Sequence, residues 1–335
     1  MNSVVTRLTA LAAAGLLALG LAACSAAVAE PATDTAAPTP AEQSWPRVVE
    51  HEGGTTTIPA QPKRIVSTSL SITGTLLAID APIIATAATT PGNGADEHGF
   101  FAQWADVAVD RGVDVLYPEL TLDLEAVMAA DPDLIVVSTS GADSTLDNLA
   151  ELQQIAPTVV YNYGDKTWQE LARELGEATG LEQNAEKVVA DFDAHVAETA
   201  AAIDHPAGQA NAIVYNGAGG DTAFAKIGGP HATLLTALGF DIAPAPEGMD
   251  TSGRVRQDFN FLSIENTVAA LTAPTVFIIS GDESTRDDLL STSVLQNAPA
   301  VVSRSVYALG PDSFRIDYYS ANEIIDAVTT AFGRG

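Results

Sequence analysis

The chain has 335 residues, 47% of them hydrophobic, and its 43 acidic and 15 basic residues give a formal net charge of −28. This length suffices for one large or two ordinary domains, and the acidity excludes nonspecific nucleic-acid binding, which needs a basic surface. The single cysteine excludes an internal disulfide framework, an iron–sulfur cluster and a multi-thiolate zinc site. The five histidines form no HxH or HxxxH pair, so a His-rich metal site is not favoured.

Residues 1–23 have the features of an export signal. Arg7 makes the start positive, and the apolar run after it is shorter than the ~20 residues that a membrane-spanning helix needs. The run ends in Leu-Ala-Ala-Cys, which is similar to the lipobox of bacterial lipoproteins, so we predict lipidation of Cys24. The alternative is a plain secretory signal. Residues 24–44, rich in Ala, Pro and Thr, are predicted to be a flexible tether.

Residues 45–181 show apolar strands alternating with helices. The predicted strands share short, fully apolar runs, and they lie at residues 64–68, 82–85, 134–137 and 158–161. Helices are predicted between them, for example at residues 124–130 and 168–178. Strands of this kind indicate a parallel sheet that is covered by helices on both faces.

One long helix is predicted next, over residues 182–203. Apolar residues recur there mostly every three or four positions, which indicates a helix with one apolar stripe. The pattern stops at Pro206. We therefore predict a linking helix over residues 182–204 that joins two α/β lobes.

The α/β pattern restarts over residues 205–335. Strands are predicted at 212–215, 275–279 and 305–309, and a closing helix is predicted at 319–332. Glu125 and Glu265 occupy similar places in the two halves, since each lies in the first turn of a helix that precedes an apolar strand. Two lobes with a cleft between them are the expected architecture, and the cleft is the expected binding site.

Several long stretches resemble the substrate-binding proteins of iron–siderophore ABC importers. They are residues 64–82, 99–104, 155–170, 307–310 and 314–320, and the resemblance extends from about Trp45 to Phe332. It implies two Rossmann-like lobes joined by one rigid helix. It also implies a monomer outside the cytoplasm, held on the outer face of the plasma membrane or in a periplasmic space. Such a protein captures a ferric catecholate siderophore and delivers it to an ABC permease and its ATPase, without a cofactor of its own.

Basic residues are scarce, so their positions are informative. A ferric catecholate is trianionic and aromatic, and a site for it needs cations and aromatic rings. Arg256 and Arg315 stand where the resembling family carries arginines, while Arg254 and Lys226 lie close to them in the sequence. We predict that all four bind the ligand. The alternative for each is a surface cation that is paired with an acid.

Four aromatic residues are candidates for packing against the ligand: Trp104, Tyr215, Phe224 and Tyr318. Tyr318 and Tyr319 point about 100° apart on a helix, so at most one of them faces the cleft easily. The alternative role for each ring is core packing. The family's enterobactin carrier has a tryptophan near position 225 and a basic residue at position 115, where this chain has Phe224-Ala225 and Val115. The differences weaken the case for enterobactin more than for other anionic siderophores.

The resemblance also implies a docking role for Glu125 and Glu265. In such importers, one glutamate on each lobe meets arginines on the two permease subunits. The alternative is that each glutamate stabilises the first turn of its own helix through the helix dipole.

Other classes of function are less favoured by the sequence. There is no GxSxG, HExxH or P-loop motif, so we predict that the protein is not an enzyme. A second alternative keeps the fold but changes the cargo to haem, cobalamin, a hydroxamate siderophore or free metal, and Tyr215 or Tyr318 could then serve as an axial haem ligand. A surface adhesin is the third alternative, and the apolar parallel strands argue against it.

Overall fold

The first lobe is built on a five-stranded parallel sheet. The computed structural model describes residues 44–92, 94–253 and 256–334. Strands β1 (Arg47–His51) and β2 (Gly54–Ile58) form an antiparallel hairpin that packs beside the sheet. The sheet has the order β5-β4-β3-β6-β7, and its strands are β3 (Ile65–Ser67), β4 (Ile83–Ala87), β5 (Asp114–Tyr117), β6 (Leu134–Ser138) and β7 (Thr158–Tyr161).

Helices cover both faces of this sheet, as the fully apolar strands require. One face carries α1 (Leu70–Ala78), α2 (Ala102–Asp110) and α5 (Trp168–Thr179). The other carries α3 (Leu124–Ala129) and α4 (Leu149–Ile155). Alternate residues of β6 belong to the two cores, since Val136 packs with the first set and Ile135 with the second.

Helix α6 (Glu182–Ala202) is the long helix that the sequence predicts between the lobes. Its buried residues recur at four- and three-residue intervals, and they are Ala185, Val189, Phe192, Val196 and Thr199. At 1.5 Å per residue, the helix is about 31 Å long. It packs against α5 of the first lobe and against two helices that follow it in the chain.

The second lobe contains a mixed sheet of order β10-β9-β8-β11-β12. Its strands are β8 (Ala210–Val214), β9 (Thr222–Ala225), β10 (Phe259–Leu262), β11 (Thr275–Ile279) and β12 (Val306–Ala308). Strands β8, β11 and β12 are parallel, but β9 is antiparallel to both of its neighbours. The three strands that the sequence predicts in this lobe correspond to β8, β11 and β12, which are parallel. The sequence analysis did not identify β9 and β10, and β9 is antiparallel to β8 because the short connection between them cannot make a crossover.

The helices of the second lobe also lie on two faces. Helices α7 (Pro230–Ala237) and α11 (Tyr318–Phe332) share the large core with α6. Helices α8 (Ile264–Ala270), α9 (Glu283–Ser291) and α10 (Pro299–Ser303) pack on the opposite face. Helix α11 contacts α1 and α2 as well as α6, so it joins the lobes together with the long helix. None of the described helices is long and apolar enough to cross a membrane.

Candidate ligand-binding site

Residues 309–317, between β12 and α11, form a segment that runs from the second lobe to the first and includes Arg315. The segment starts on the second lobe, where Leu309 N–H donates to the carbonyl of Ile278. Further along, the guanidinium of Arg315 lies over the ring of Phe101, with 4.5 Å between Cζ and the ring centroid. Residues of both lobes therefore meet at Arg315.

Local hydrogen bonds hold the backbone of this segment. Asp317 is the N-cap of α11, and its Oδ1 accepts from the backbone N–H groups of Tyr319 and Ser320. Ser320 Oγ donates to the carbonyl of Arg315 at 2.6 Å. The buried carboxyl of Asp317 also accepts from Gln103 Nε2 of the first lobe at 3.3 Å, and burial raises its pKa to about 6.

His231 supports the same segment from the second lobe. Its Nε2 lies 2.8 Å from the carbonyl oxygen of Ser313, and burial lowers the pKa of the imidazole to about 4. The ring is therefore neutral at pH 7, and Nε2 carries the proton because its partner is an acceptor. The segment is thus fixed on both sides of Phe314, whose ring stacks on Phe259 with 5.7 Å between centroids.

Arg315 has the chemistry of an anion-binding group. The residue is exposed, and no carboxylate of the described residues lies within ion-pair distance of it. The rings of Phe101 and Phe314 flank the guanidinium at 4.5 and 5.8 Å. A guanidinium that lies over aromatic rings can keep these ring contacts while its N–H groups donate to an anionic ligand.

Arg256 differs from Arg315, because it forms an ion pair with an acidic residue of its own lobe. Its Nε donates to Asp258 Oδ1 at 2.8 Å and its Nη2 donates to Oδ2, so the pair is bidentate. Burial opposes ionisation of Asp258, but the hydrogen bonds from Arg256 prevail and lower the pKa of the carboxyl. A guanidinium has five N–H donors, so donors remain for a ligand. Lys226 Nζ donates to the Arg256 carbonyl and so holds the backbone at this residue.

Tyr163 belongs to the first lobe, where it follows strand β7. Its hydroxyl donates to Asp143 Oδ1 at 3.0 Å, and burial together with the charge of Asp143 raises the pKa of the phenol to about 12. The phenol interacts electrostatically with Arg315 and with Arg256. We call the set of Phe101, Tyr163, Arg256, Phe314 and Arg315 the interlobe site.

Asp143, the buried carboxylate that pairs with Tyr163, accepts three hydrogen bonds from protein groups. Asp143 accepts from Ser69 Oγ and from Ser71 N–H, both at 2.8 Å, in addition to Tyr163. Gly141 lets the phenol approach, since a Cβ there would lie 1.7 Å from the Tyr163 hydroxyl, and its φ of +83° favours glycine. The position of the phenol is therefore built into the loop that follows β6.

Three predicted aromatic contacts are corrected by burial. Phe224 and Trp104 have 0% and 1% of their surface exposed, and Tyr215 has 5%. The Tyr215 hydroxyl pairs with Thr292 Oγ1 at 2.6 Å inside the second lobe. These rings belong to the lobe cores, and in this structure they offer no surface to a ligand.

Of the remaining predicted residues, Tyr318, Glu125 and Glu265 lie outside the interlobe site. The ring of Tyr318 packs on Trp168 and Phe192, at centroid distances of 5.6 and 6.4 Å, so it faces helices α5 and α6. Arg254 and Cys24 lie outside the described residues. Glu125 and Glu265 are exposed in the first turns of α3 and α8.

Sequence reasoning missed Phe101, Phe314 and Tyr163. Tyr163 follows the carboxyl end of β7, and ligands of open parallel sheets bind at that edge. This signal was available in the sequence. Among the described residues, no group of three or more His, Cys, Asp and Glu side chains is arranged to hold a metal ion.

Comparison with known proteins places the chain in a family. Residues 65–313 match the family model described as periplasmic binding protein. The chain belongs to this family. It is 40% identical over 327 residues to the ferric enterobactin-binding periplasmic protein FepB of Escherichia coli, which covers 96% of this chain and 97% of FepB. The relatives are binding proteins and not enzymes, so that prediction is confirmed.

Two further relatives extend the comparison. The iron(3+)-hydroxamate-binding protein YxeB of Bacillus subtilis is 27% identical over 332 residues, covering 94% of this chain and 92% of YxeB. The crystal structure of holo-ViuP matches with 42% identity and a TM-score of 0.79, over 87% of this chain and 96% of that chain. These matches confirm the predicted fold of two α/β lobes joined by a long helix.

Proposed function

We propose that this protein captures a ferric catecholate siderophore outside the cytoplasm and delivers it to an ABC importer. The observation that carries the proposal is the exposed guanidinium of Arg315, which has no ion pair among the described residues and lies between aromatic rings where the lobes meet. FepB, named for ferric enterobactin, is similar over nearly its whole length. The proposed cargo therefore belongs to the same class of ligand as the ferric enterobactin for which FepB is named.

The chemistry of the interlobe site suits a large aromatic trianion. Arg315 and Arg256 supply positive charge, and Phe101 and Phe314 supply apolar faces. Tyr163 is neutral at pH 7, so it adds no negative charge to the site, and its one proton is donated to Asp143. Lys226 and Arg254 remain proposed contributors near the Arg256 loop. A ferric hydroxamate is the second candidate, because YxeB is named for that class.

A titration of the purified protein tests the cargo. Three tryptophans provide intrinsic fluorescence. We expect tight quenching by ferric enterobactin and little response to iron-free enterobactin, a ferric hydroxamate or haem. Saturable binding of haem or of the hydroxamate, without a response to the ferric catecholate, would contradict the proposal.

The location of the protein follows from the proposed anchor. We propose residues 1–23 as the signal, Cys24 as the lipidated residue and 24–44 as the tether; these lie outside the described residues except Ser44. The lobes are proposed at 45–181 and 205–335, and the protein is proposed to be a monomer.

Substituting Cys24→Ala should release the protein from membranes. A lipid chain contributes about 0.8 kcal/mol per buried CH₂, so loss of the lipid removes the anchor. The measurement is fractionation of cells into membrane and soluble protein, followed by immunoblotting. Unchanged membrane partitioning of the variant would contradict lipidation.

Glu125 and Glu265 are proposed to contact the two permease subunits. We expect Glu125→Ala and Glu265→Ala each to lower ⁵⁵Fe–siderophore uptake about three- to tenfold, with a larger loss in the double variant, because each removes one interfacial ion pair. Siderophore affinity in solution should not change. Glu198→Ala, an exposed glutamate of α6, is the matched control. Normal uptake by both variants would favour the helix-dipole role.

A further inference from the structure

Helices α3 and α8 occupy equivalent places in the two lobes. Each precedes the strand that stands fourth in its sheet, β6 in the first lobe and β11 in the second. Each lies on the sheet face that is turned away from α6. A side chain caps each N-terminus, Asp123 for α3 and Ser263 for α8. The similarity of the halves is therefore structural and not only a similarity of sequence.

The equivalence extends to individual residues of the two helices. The second residue of each is an exposed glutamate, Glu125 or Glu265, and the fourth residue is fully buried, Val127 or Thr267. The fifth residue of each helix is a large hydrophobic side chain that is exposed, Met128 at 62% and Val268 at 44%.

An acid and an apolar side chain thus share one face of each helix. Residues three positions apart are neighbours on a helix surface, so Met128 adjoins Glu125 and Val268 adjoins Glu265. Neither glutamate forms an ion pair among the described residues. The dipole role accounts for a glutamate in a first turn, but it does not account for an exposed apolar residue at the matching place in both lobes.

We infer that Met128 and Val268 are contact residues of a docking surface, where each lobe presents one acid and one apolar side chain to an equivalent site on a two-fold permease. The inference rests on the proposed function, which it deepens by naming a further part of the contact. A patch that occurs twice, at equivalent places in one chain, fits a partner that offers the same site twice. Each site would carry an arginine beside a shallow apolar recess, since the charge and the exposed side chains must both be matched.

Polar substitutions test the apolar half of this surface. We expect Met128→Gln and Val268→Thr each to reduce ⁵⁵Fe uptake from ferric enterobactin about three- to tenfold, and the double variant to lose more, because each substitution buries a polar group without a partner in the apolar recess. Fluorescence titration should give wild-type affinity for ferric enterobactin in every variant. Val48→Thr is the control, since Val48 is 65% exposed but lies in the β1 hairpin.

A second measurement does not depend on the cargo. The chain has one cysteine, so Met128→Cys, Val268→Cys and Val48→Cys can each carry a thiol-linked photocrosslinker, with the wild type as background. In membranes of the source cells, positions 128 and 268 should crosslink to an ABC permease subunit identified by mass spectrometry, and position 48 should not. This outcome supports the inference even if the wild type binds no siderophore, a result that would overturn the proposed function alone.

Any one of three results would overturn the inference. The first is wild-type uptake by the Met128→Gln, Val268→Thr double variant at equal expression. The second is the absence of a permease crosslink from both positions. The third is a fall in siderophore affinity that accounts for the loss of uptake, because the residues would then act on the cargo.

Discussion

Replacing Arg315 with alanine should weaken the binding of a ferric catecholate about ten- to a hundredfold. A hydrogen bond to a charged group contributes about 1.5–3 kcal/mol, and a factor of ten in affinity corresponds to about 1.4 kcal/mol. The exposed guanidinium forms no ion pair among the described residues, so a bound trianion would gain this contact without breaking an ion pair. Fluorescence titration with ferric enterobactin measures the effect.

Arg256→Ala should weaken the binding of a ferric catecholate about tenfold, which is the lower end of the range for Arg315→Ala. Its guanidinium already pairs with Asp258, and a ligand must share it with that carboxylate. The variant also leaves Asp258 without its partner, which places an uncompensated negative charge near the ligand. Arg256→Ala, Asp258→Asn removes both charges and should recover part of the loss, which separates repulsion from the missing contact.

Arg173→Ala is the matched control for both substitutions. Arg173 is exposed and pairs with Glu186 on the helices, at 3.0 Å. We expect wild-type affinity in this variant and wild-type circular dichroism in all of them. Wild-type affinity in Arg315→Ala would remove this residue from the site and with it the main support for an anionic cargo.

The fold was largely predictable because burial leaves a periodic pattern. The apolar runs at 134–137 and 275–279 became β6 and β11, and the apolar stripe of residues 182–203 became α6. Strand β9 was not identified from the sequence, and its antiparallel direction was not predictable in this way. A strand's composition records burial, whereas its direction depends on the length of the connection before it.

The site was only partly predictable from the sequence. Scarcity of positive charge made Arg315 and Arg256 conspicuous, but aromatic composition did not separate Phe224, which is in the core, from Phe101, which flanks Arg315. The segment that meets the first lobe includes a hydrogen bond between residues 214 positions apart, and no local pattern encodes such a contact. Family resemblance supplied the arginine positions, and the structure supplied their neighbours.

Asp317→Asn should stabilise the protein at pH 7.5 by up to about 3 kcal/mol. Burial raises the pKa of this carboxyl from 3.8 to about 6, and one pKa unit corresponds to about 1.4 kcal/mol. The folded state therefore binds the proton more tightly than the unfolded state. The stability that the folded state gains from the proton on Asp317 is fully present below about pH 4, and it is lost as the pH rises through 6.

Asparagine removes the buried charge but keeps the cap. Its side-chain oxygen can accept from the N–H groups of Tyr319 and Ser320, as Asp317 does. Urea unfolding at pH 4.5 and 7.5 measures the difference from wild type, and most of the gain at pH 7.5 should be absent at pH 4.5. Asp123→Asn is the control, since it removes an exposed capping carboxylate of α3 and should show no such gain.

A neighbouring acid gives the prediction a second readout. The carboxyl of Glu323 has a pKa raised to about 7, chiefly by burial and further by the charges of Asp312, Asp317 and Asp326. Removing the charge of Asp317 should therefore lower the pKa of Glu323, which a carbon-13 NMR titration of the side-chain carboxyl can measure. An Asp317→Asn variant that is less stable at pH 7.5 and leaves the Glu323 titration unchanged would contradict the prediction. It would mean that the Asp317 side chain does not destabilise the folded state through its charge. The carboxylate would then be needed for the contacts that hold the Arg315 segment, and siderophore affinity should fall with it.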